Sequence, residues 1–331
     1  MLRLLAVFSL CFSLLYAQTV VVPIPGERNQ PQQPQGGGGG SGVGALLGVA
    51  VGFGIMLLLS KVLSAKPSRP KALNFIPFQF IALYEGELPE GLEVIEEESL
   101  ERLRLSLIKW EKEEMELEEK LRGRVIALER NLVYEVYGQV ETVSAGEVKG
   151  GERSLVAVLD TGADTERLRD ILVFSKNMRR DPYTPEPHGS AVSYLVNLQK
   201  GAGVGLYRVC SQSLCDGWSI AKALVDLRRE GIRLANLSFG THREDRVVGY
   251  LIRLLSSLGH TFVAPVGNEP MDDLPFPARL PQVLSVAGSP CFPKPQCRRA
   301  KERERYITET PFGRVFGTSF SSAIVAGRLA D

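Results

Sequence analysis

The pattern of hydrophobic and polar positions changes along the chain, and each part predicts different elements. Residues 72–84, ALNFIPFQFIALY, are aromatic and branched and predict one or two strands. From residue 96 to residue 128, leucines recur in steps of three and four, which predicts a long helix. The segment NLVYEVYGQV predicts another strand. After residue 150, short apolar runs end in polar and glycine clusters, as central parallel strands do.

The leucine-rich segment 96–122 allows two interpretations. Acidic residues are enriched at its start and basic residues at its end, which suits the dipole of a helix. Such a helix either self-associates as a coiled coil or packs within a small domain of its own. We therefore expect residues 72–140 to form a helix-rich α+β region that is either propeptide-like or a coiled coil.

The N-terminal part carries signals for export and membrane insertion. Residues 1–17 combine an early arginine with an apolar run and a small final residue, which predicts a signal peptide. Residues 18–42 are rich in proline, glutamine and glycine and predict a flexible linker. Residues 43–63 have no charge before Lys61 and predict a transmembrane helix. A buried helix of a soluble protein is the alternative for this segment.

Small residues form one stripe along the predicted membrane helix, namely Gly44, Gly48 and Gly52. Such a stripe allows two helices to approach closely, so it predicts self-association, as the 96–122 helix also does. Basic residues follow the predicted membrane helix, and the positive-inside rule would leave the C-terminal part in the cytoplasm.

The spacing of the cysteines instead favours a C-terminal part outside the cytoplasm. Cys210 and Cys215 form one close pair, and Cys291 and Cys297 form a second. The pairs predict two disulfides and an oxidising compartment, with a four-cysteine zinc site as the alternative. We expect an exported protein of the cell envelope, membrane-anchored, with its C-terminal domain outside the cytoplasm. The net charge of +1 over 331 residues argues against a nucleic-acid partner.

Candidate catalytic residues lie where the predicted C-terminal elements begin or end. Asp160 ends the strand VAVLD, His188 opens a helix, Asn268 follows the strand VAPVG, and Ser319 lies in GTSFSSAIVAG. Alone, each residue is typical of a cap, a turn or a helix start. Together they provide a nucleophile, a base for its proton, a carboxylate that orients the base, and a donor for an oxyanion.

The ordered motifs VAVLDTGAD, HGSAVS, NLSFG, PVGNE and GTSFSSAIVAG resemble those of the subtilisin-like serine proteases. The resemblance covers residues 150–331 and implies an α/β peptidase domain, a three-layer fold with a mainly parallel sheet. It further implies that Asp160, His188 and Ser319 are a catalytic triad and that Asn268 lies in the oxyanion hole.

The resemblance also implies where a polypeptide substrate binds. The implied substrate-binding residues are Ser238, Phe239, Gly240, Val266 and Gly267, alongside which the substrate would add as a strand. The calcium-binding loop of the family is missing, so we expect no metal and no cofactor. A propeptide is usual in the family, and self-cleavage between about Gly138 and Arg153 would release the protease from its membrane tether.

The sequence thus predicts a self-processing serine endopeptidase. The alternative is a catalytically degenerate subtilase that acts as a membrane-tethered peptide-binding or assembly module. Departures from the family motifs favour this alternative, namely Pro187, Ser190, Ala191 and Ala323. A purely structural membrane protein would leave the ordered motifs unexplained.

Overall fold

A computed structural model describes residues 74–141 and 154–330. The strands are β1 (Phe75–Glu85), β2 (Glu93–Leu100), β3 (Leu103–Lys109), β4 (Val125–Val136), β5 (Gln139–Glu141), β6 (Leu155–Asp160), β7 (Leu172–Asn177), β8 (Gly203–Arg208), β9 (Cys210–Ser211), β10 (Leu214–Asp216), β11 (Leu234–Leu237), β12 (Phe239–Gly240), β13 (Thr261–Pro265), β14 (Val283–Ser289), β15 (Glu302–Arg305), β16 (Ile307–Thr310) and β17 (Gly313–Phe316). The helices are α1 (Glu114–Leu121), α2 (Pro187–Lys200), α3 (Gly217–Arg229), α4 (Arg246–Ser257), α5 (Lys294–Cys297) and α6 (Thr318–Leu329).

A parallel sheet with the strand order β15-β14-β13-β11-β6-β8-β7 forms the middle layer of the C-terminal part. Its central strands are short, mostly apolar runs whose alternate side chains point to opposite faces, whereas the edge strands β7 and β15 carry charged side chains. Val156 and Val158 pack with α2 and α6, whereas Ala157 and Leu159 pack with α3 and α4. Helices therefore cover both faces, and the predicted fold with a mainly parallel sheet is confirmed.

The N-terminal part is an antiparallel sheet with the strand order β2-β3-β1-β4. On β1, Ile81 and Leu83 face the cluster that contains α3 and α4. Phe80 and Tyr84 face the other way and pack with Leu117 of α1. This sheet thus lies between one short helix and the helical layer of the parallel sheet.

The long helix predicted over residues 96–128 is wrong, and the α+β region is rich in strands rather than in helices. Residues 93–109 form the hairpin β2–β3, and only Glu114–Leu121 are helical. Leu105 and Leu107 are buried against α3 and α4, and the hydroxyl of Ser106 between them forms a hydrogen bond with the Tyr84 hydroxyl on the opposite face. Full burial of a leucine side chain contributes about 1.5–3 kcal/mol, so packing of the hairpin outweighs the helical spacing.

 

The buried Ser106 shows why a strand pattern was hard to recognise here. Its side chain belongs to the face of β3 that packs towards α1, where the Ser106 Oγ and the phenolic oxygen of Tyr84 lie 2.8 Å apart. The leucines before and after it point to the other face, so both faces of β3 are buried here and the burial does not alternate as it does in a half-exposed strand. A hydroxyl bond between neighbouring strands thus satisfies the one polar residue in the hairpin's buried run.

Two carboxylates of the antiparallel sheet bind the first turns of α3 and α4. Glu129 accepts hydrogen bonds from the backbone N–H and the Nε of Arg246, at 3.2 and 3.1 Å. Glu96 accepts from the indole N–H of Trp218 and from Lys222 Nζ. Negative charge is favourable at helix N-termini, so these contacts hold the N-terminal sheet against both helices.

The signal peptide, the linker and the membrane helix predicted for residues 1–17, 18–42 and 43–63 lie outside the described residues. Self-association through the glycine stripe lies there as well. Within residues 74–141 and 154–330, no helix is long and apolar enough to cross a membrane.

Candidate active site

Asp160 and His188 meet at the carboxyl end of the parallel sheet. Asp160 is the last residue of β6 and is fully buried, and His188 lies in the first turn of α2. The Nδ1 of His188 is 2.8 Å from Asp160 Oδ1, which also accepts the N–H of Thr161 at 2.6 Å. This contact fixes the ring orientation and leaves Nε2 as the atom that faces the rest of the site.

Ser319 lies in the first turn of α6, which follows Gly317, a residue with a positive φ of 139°. Its Oγ donates to the carbonyl oxygen of Ser238 at 2.9 Å and accepts the N–H of Tyr137 at 3.2 Å. The Nε2 of His188 is buried and has no hydrogen-bond partner among the described residues.

Asn268 follows Gly267 in the turn after β13. Its Oδ1 accepts the backbone N–H of Thr318 at 2.9 Å and the Thr318 hydroxyl at 3.2 Å. Because the carbonyl end of the amide is held by Thr318, the NH₂ end is the part that remains to donate. A Cβ on Gly317 would lie 3.0 Å from Asn268 Nδ2 and 2.5 Å from the carbonyl oxygen of Tyr137, so both atoms border one small space.

The chain's own residues 133–141 run through this site as an extended segment. The end of β4 lies between two strands, pairing antiparallel with β10 on one side and with β12 on the other. Beyond the site, β5 pairs antiparallel with β17. The segment is therefore held by main-chain pairing on both sides of Ser319, which is how an extended peptide adds to a sheet edge.

The peptide bond between Tyr137 and Gly138 lies at the centre of the site. The N–H of Ser319 donates to the carbonyl oxygen of Tyr137 at 3.0 Å, and the N–H of Tyr137 donates to Ser238 at 3.5 Å. On Gly138, a Cβ would lie 2.9 Å from His188 Nε2 and 2.5 Å from Phe320 Cε2. The carbonyl group thus faces Ser319 and the following residue lies against the imidazole.

The ring of Tyr137 fills a pocket formed by two glycines. A Cβ on Gly240 would lie 2.6 Å from Tyr137 Cε2, and one on Gly267 would lie 3.6 Å from Tyr137 Cζ. Burial raises the pKa of Tyr137, and the charge of Glu135 raises it further, so the phenol is neutral. Any larger side chain at Gly240 would occupy the space of the ring.

The structure brings most of the predicted substrate-binding residues to this segment. Ser238, Phe239 and Gly240 run alongside residues 135–137, and Gly267 lies against the Tyr137 ring. Val266 is fully buried and packs in an apolar cluster with Leu274, behind the site.

Both predicted cysteine pairs are disulfides. The sulfur atoms of Cys210 and Cys215 are 2.06 Å apart, and those of Cys291 and Cys297 are 2.01 Å apart. Sulfurs joined in this way are not available as zinc ligands, which removes the alternative of a four-cysteine site. Disulfides persist in oxidising compartments and indicate an exported protein.

No three His, Cys, Asp or Glu side chains are arranged as ligands of a metal ion within the described part of the chain. The expectation that the site needs no metal and no cofactor stays a prediction.

Comparison with solved structures identifies the architecture around the site. Fervidolysin from Fervidobacterium pennivorans, a keratinolytic enzyme related to subtilisin, has a TM-score of 0.59 at 13% identity over 78% of this chain. The fold is that of the subtilisin-like serine proteases. The Staphylococcus aureus serine protease EpiP, which processes the epidermin leader peptide, has a TM-score of 0.51 at 12% identity. That match covers 75% of this chain and 86% of EpiP.

The subtilisin-like chain covers 55% of fervidolysin, about half of that protein's length. No protein-family model and no curated protein matches the sequence.

The sequence analysis did not single out the residues of the N-terminal part that enter the candidate site. Tyr137 and Gly138 lie within the predicted strand NLVYEVYGQV, and self-cleavage was predicted only broadly, between about Gly138 and Arg153. Asp245 was not among the predicted site residues. A signal was present for Gly138, because it begins the predicted self-cleavage range between the N-terminal region and the protease-like domain. For Asp245 the local sequence offers only a helix cap.

Proposed function

We propose that this protein is a serine endopeptidase that cleaves its own chain between Tyr137 and Gly138. The observation that carries the proposal is the position of this peptide bond, whose carbonyl oxygen accepts the N–H of Ser319 at 3.0 Å. The names of the two compared proteins, both proteases, favour polypeptide substrates.

In the proposed mechanism, Ser319 is the nucleophile and His188 is the base. Ser319 Oγ leaves the Ser238 carbonyl, transfers its proton to His188 Nε2 and attacks the carbonyl carbon of Tyr137. Asp160 holds the imidazole through Nδ1 and stabilises its protonated form. His188 then protonates the nitrogen of Gly138, and the Tyr137–Gly138 bond breaks. Water, activated by the same imidazole, hydrolyses the acyl-enzyme ester.

The negative charge on the Tyr137 oxygen is the part of the transition state that needs stabilisation. The N–H of Ser319 already points at this oxygen, and the amide nitrogen of Asn268 borders the same space. The N-terminus of α6 adds a favourable dipole. Together these donors supply an oxyanion hole without rearrangement of the backbone.

The part of the predicted region 72–140 that ends at Tyr137 acts in this proposal as a propeptide. Its sheet packs against α3 and α4, and its last strand occupies the substrate cleft. While β4 is bound there, other polypeptides cannot pair with β10 and β12. The proposed enzyme is therefore inhibited by its N-terminal part until that part dissociates or is degraded.

The alternative is a degenerate protease that holds a peptide strand without cutting it. The bond from Ser319 Oγ to the Ser238 carbonyl, in place of one to His188, favours this alternative. It requires only the strand pairing of the cleft and no proton transfer.

The deciding experiment compares the full chain with Ser319→Ala and Ser321→Ala. The hydroxyl of Ser321 donates to the carbonyl of Arg305, so its variant is a matched control on the same helix. We expect the wild type and Ser321→Ala to self-cleave on refolding, and Ser319→Ala to remain intact. A fluorophosphonate probe should label the wild type and Ser321→Ala but not Ser319→Ala. Folded wild-type protein that neither cleaves nor binds the probe would favour the peptide-binding module.

A further inference from the structure

The side chain of Tyr134, three residues before Tyr137, lies in a closed pocket beside the cleft. It is fully buried, with its ring 5.5 Å from that of Phe239 in an edge-on arrangement and 6.2 Å from that of Phe276. Its hydroxyl donates to Asp245 Oδ2 at 2.9 Å. Both phenylalanines and Asp245 belong to the C-terminal part, so the pocket is built by the protease domain around a residue of the bound strand.

Asp245 is unusual because its carboxylate is fully buried beside the aromatic rings of Tyr134, Phe239 and Phe276. Its Oδ1 accepts the N–H of Val248 at 2.8 Å and caps α4, whereas Oδ2 faces the pocket. A Cβ on Gly217 would lie 2.9 Å from Oδ2, so this glycine leaves the carboxylate room to meet a ligand. The helix cap needs only Oδ1. The second oxygen, Oδ2, accepts the hydrogen bond of the Tyr134 hydroxyl instead.

Burial also makes the pocket selective. Burial raises the pKa of Asp245 to about 7, while the bonds from Val248 and Tyr134 oppose that shift. Burial and the nearby Asp245 raise the pKa of Tyr134, so its phenol remains a donor. A phenylalanine would fill the same aromatic space but would leave a buried carboxylate oxygen without this donor, which is costly.

We propose that the cleft contains a tyrosine-specific pocket, built around Asp245, for the fourth residue before the scissile bond. The substrates are then polypeptides with the pattern Tyr-Xaa-Xaa-Tyr-Gly, in which the first tyrosine is read by its hydroxyl. The side chain of Glu135 is exposed and Val136 is half-buried, so the two intervening positions are less restricted. The inference rests on the proposed endopeptidase function.

Internal competition between two peptides tests the pocket directly. The full chain, allowed to process itself, is given an equimolar mixture of the peptide with residues 131–141 and its Tyr134→Phe version. Mass spectrometry follows both in one tube, so the ratio of kcat/KM does not depend on the fraction of enzyme that is free of propeptide. The assay is run above pH 7, where Asp245 is ionised, and we expect the tyrosine peptide to be cleaved about 10- to 100-fold faster, as for a hydrogen bond to a charged group.

Two controls separate the hydroxyl contact from other effects. A peptide pair that differs by Glu135→Gln, at the exposed position, should be cleaved within about 2-fold of each other. In the enzyme variant Asp245→Ser, the serine still caps α4 but is too short to reach the phenol, and the preference for tyrosine should fall to about 2-fold or less. If Asp245→Ser does not fold, the wild-type ratio alone decides the matter.

The outcomes distinguish this inference from the function on which it rests. Cleavage of both peptides at equal rates by the wild type would overturn the tyrosine pocket and leave the endopeptidase intact. An undiminished preference in folded Asp245→Ser would likewise overturn the role of the carboxylate. If neither peptide is cut and the chain does not process itself, both the function and the pocket are refuted.

Discussion

Replacement of Gly240 by alanine should change which residue the cleft accepts before the scissile bond. The added Cβ would lie 2.6 Å from Tyr137 Cε2, 2.8 Å from its hydroxyl oxygen and 3.1 Å from the carbonyl oxygen of Phe276. The ring and the backbone thus enclose the new methyl group from both sides. Overpacking of this kind costs about 1–3 kcal/mol, which corresponds to a loss of about 5- to 150-fold in kcat/KM.

The assay is again a competition, now between the peptide with Tyr137 and a version with valine at that position. Wild type should prefer tyrosine, whereas Gly240→Ala should lose that preference or reverse it, because valine does not reach the added methyl group. Gly249→Ala is the matched control, since its Cβ would contact nothing closer than 3.4 Å. An unchanged tyrosine-to-valine ratio in Gly240→Ala would refute the position of the Tyr137 ring beside Gly240.

Three further predictions concern the scissile bond, the oxyanion and the buried carboxylate. Gly138→Ala should slow self-cleavage about 10-fold or more, because its Cβ would lie 2.5 Å from Phe320 Cε2. The rate is measured by gel after refolding, and an unaltered rate would contradict this prediction. Asn268→Leu should lower kcat on peptides about 10²–10³-fold with little change in KM, and a change in KM alone would argue against the oxyanion hole. In uncleaved Ser319→Ala protein, the folded state holds the Asp245 proton up to a pKa of about 7, so the contribution of Asp245 to the free energy of unfolding should fall as pH rises from 4 to 8. The added substitution Asp245→Asn should remove up to about 4 kcal/mol of that fall in urea unfolding, and equal slopes would count against the buried charge.

Two further carboxylates, Glu129 and Asp216, lie near the Tyr134–Asp245 pair. Glu129 lies on β4 and raises the pKa of Asp245, but it is itself paired with Arg246 at 3.1 Å. Asp216, which caps α3, is paired with Arg179 at 2.9 Å. Asn at position 245 retains the helix cap, so the comparison isolates the carboxylate.

The residues at the ends of the parallel strands were predictable because their positions follow from local sequence. Asp160 directly follows an apolar run, and Asn268 follows a Gly after another, so both were expected at the carboxyl edge of one sheet. The structure brings Asp160 and His188 within 2.8 Å, as the ordered motifs had suggested. Local patterns suffice wherever the sheet topology, rather than a side-chain contact, determines the position.

The hairpin of residues 93–109 was not predictable in the same way. Leu100, Leu103 and Leu107 satisfy a helical spacing, whereas Leu103, Leu105 and Leu107 satisfy that of a strand. The choice is made by tertiary packing on α3 and α4. The contact of Tyr134 with Asp245 joins residues 111 positions apart, and no local pattern indicates such a pair.

The most direct test of the account is the identity of the bond that the protein cuts in itself. The full chain is allowed to process, and the new termini are determined by N-terminal sequencing and intact mass. We expect one fragment that ends at Tyr137 and another that begins at Gly138, and neither fragment from Ser319→Ala. A first cut elsewhere, for example between residues 142 and 153, or the same cut in Ser319→Ala, would contradict it.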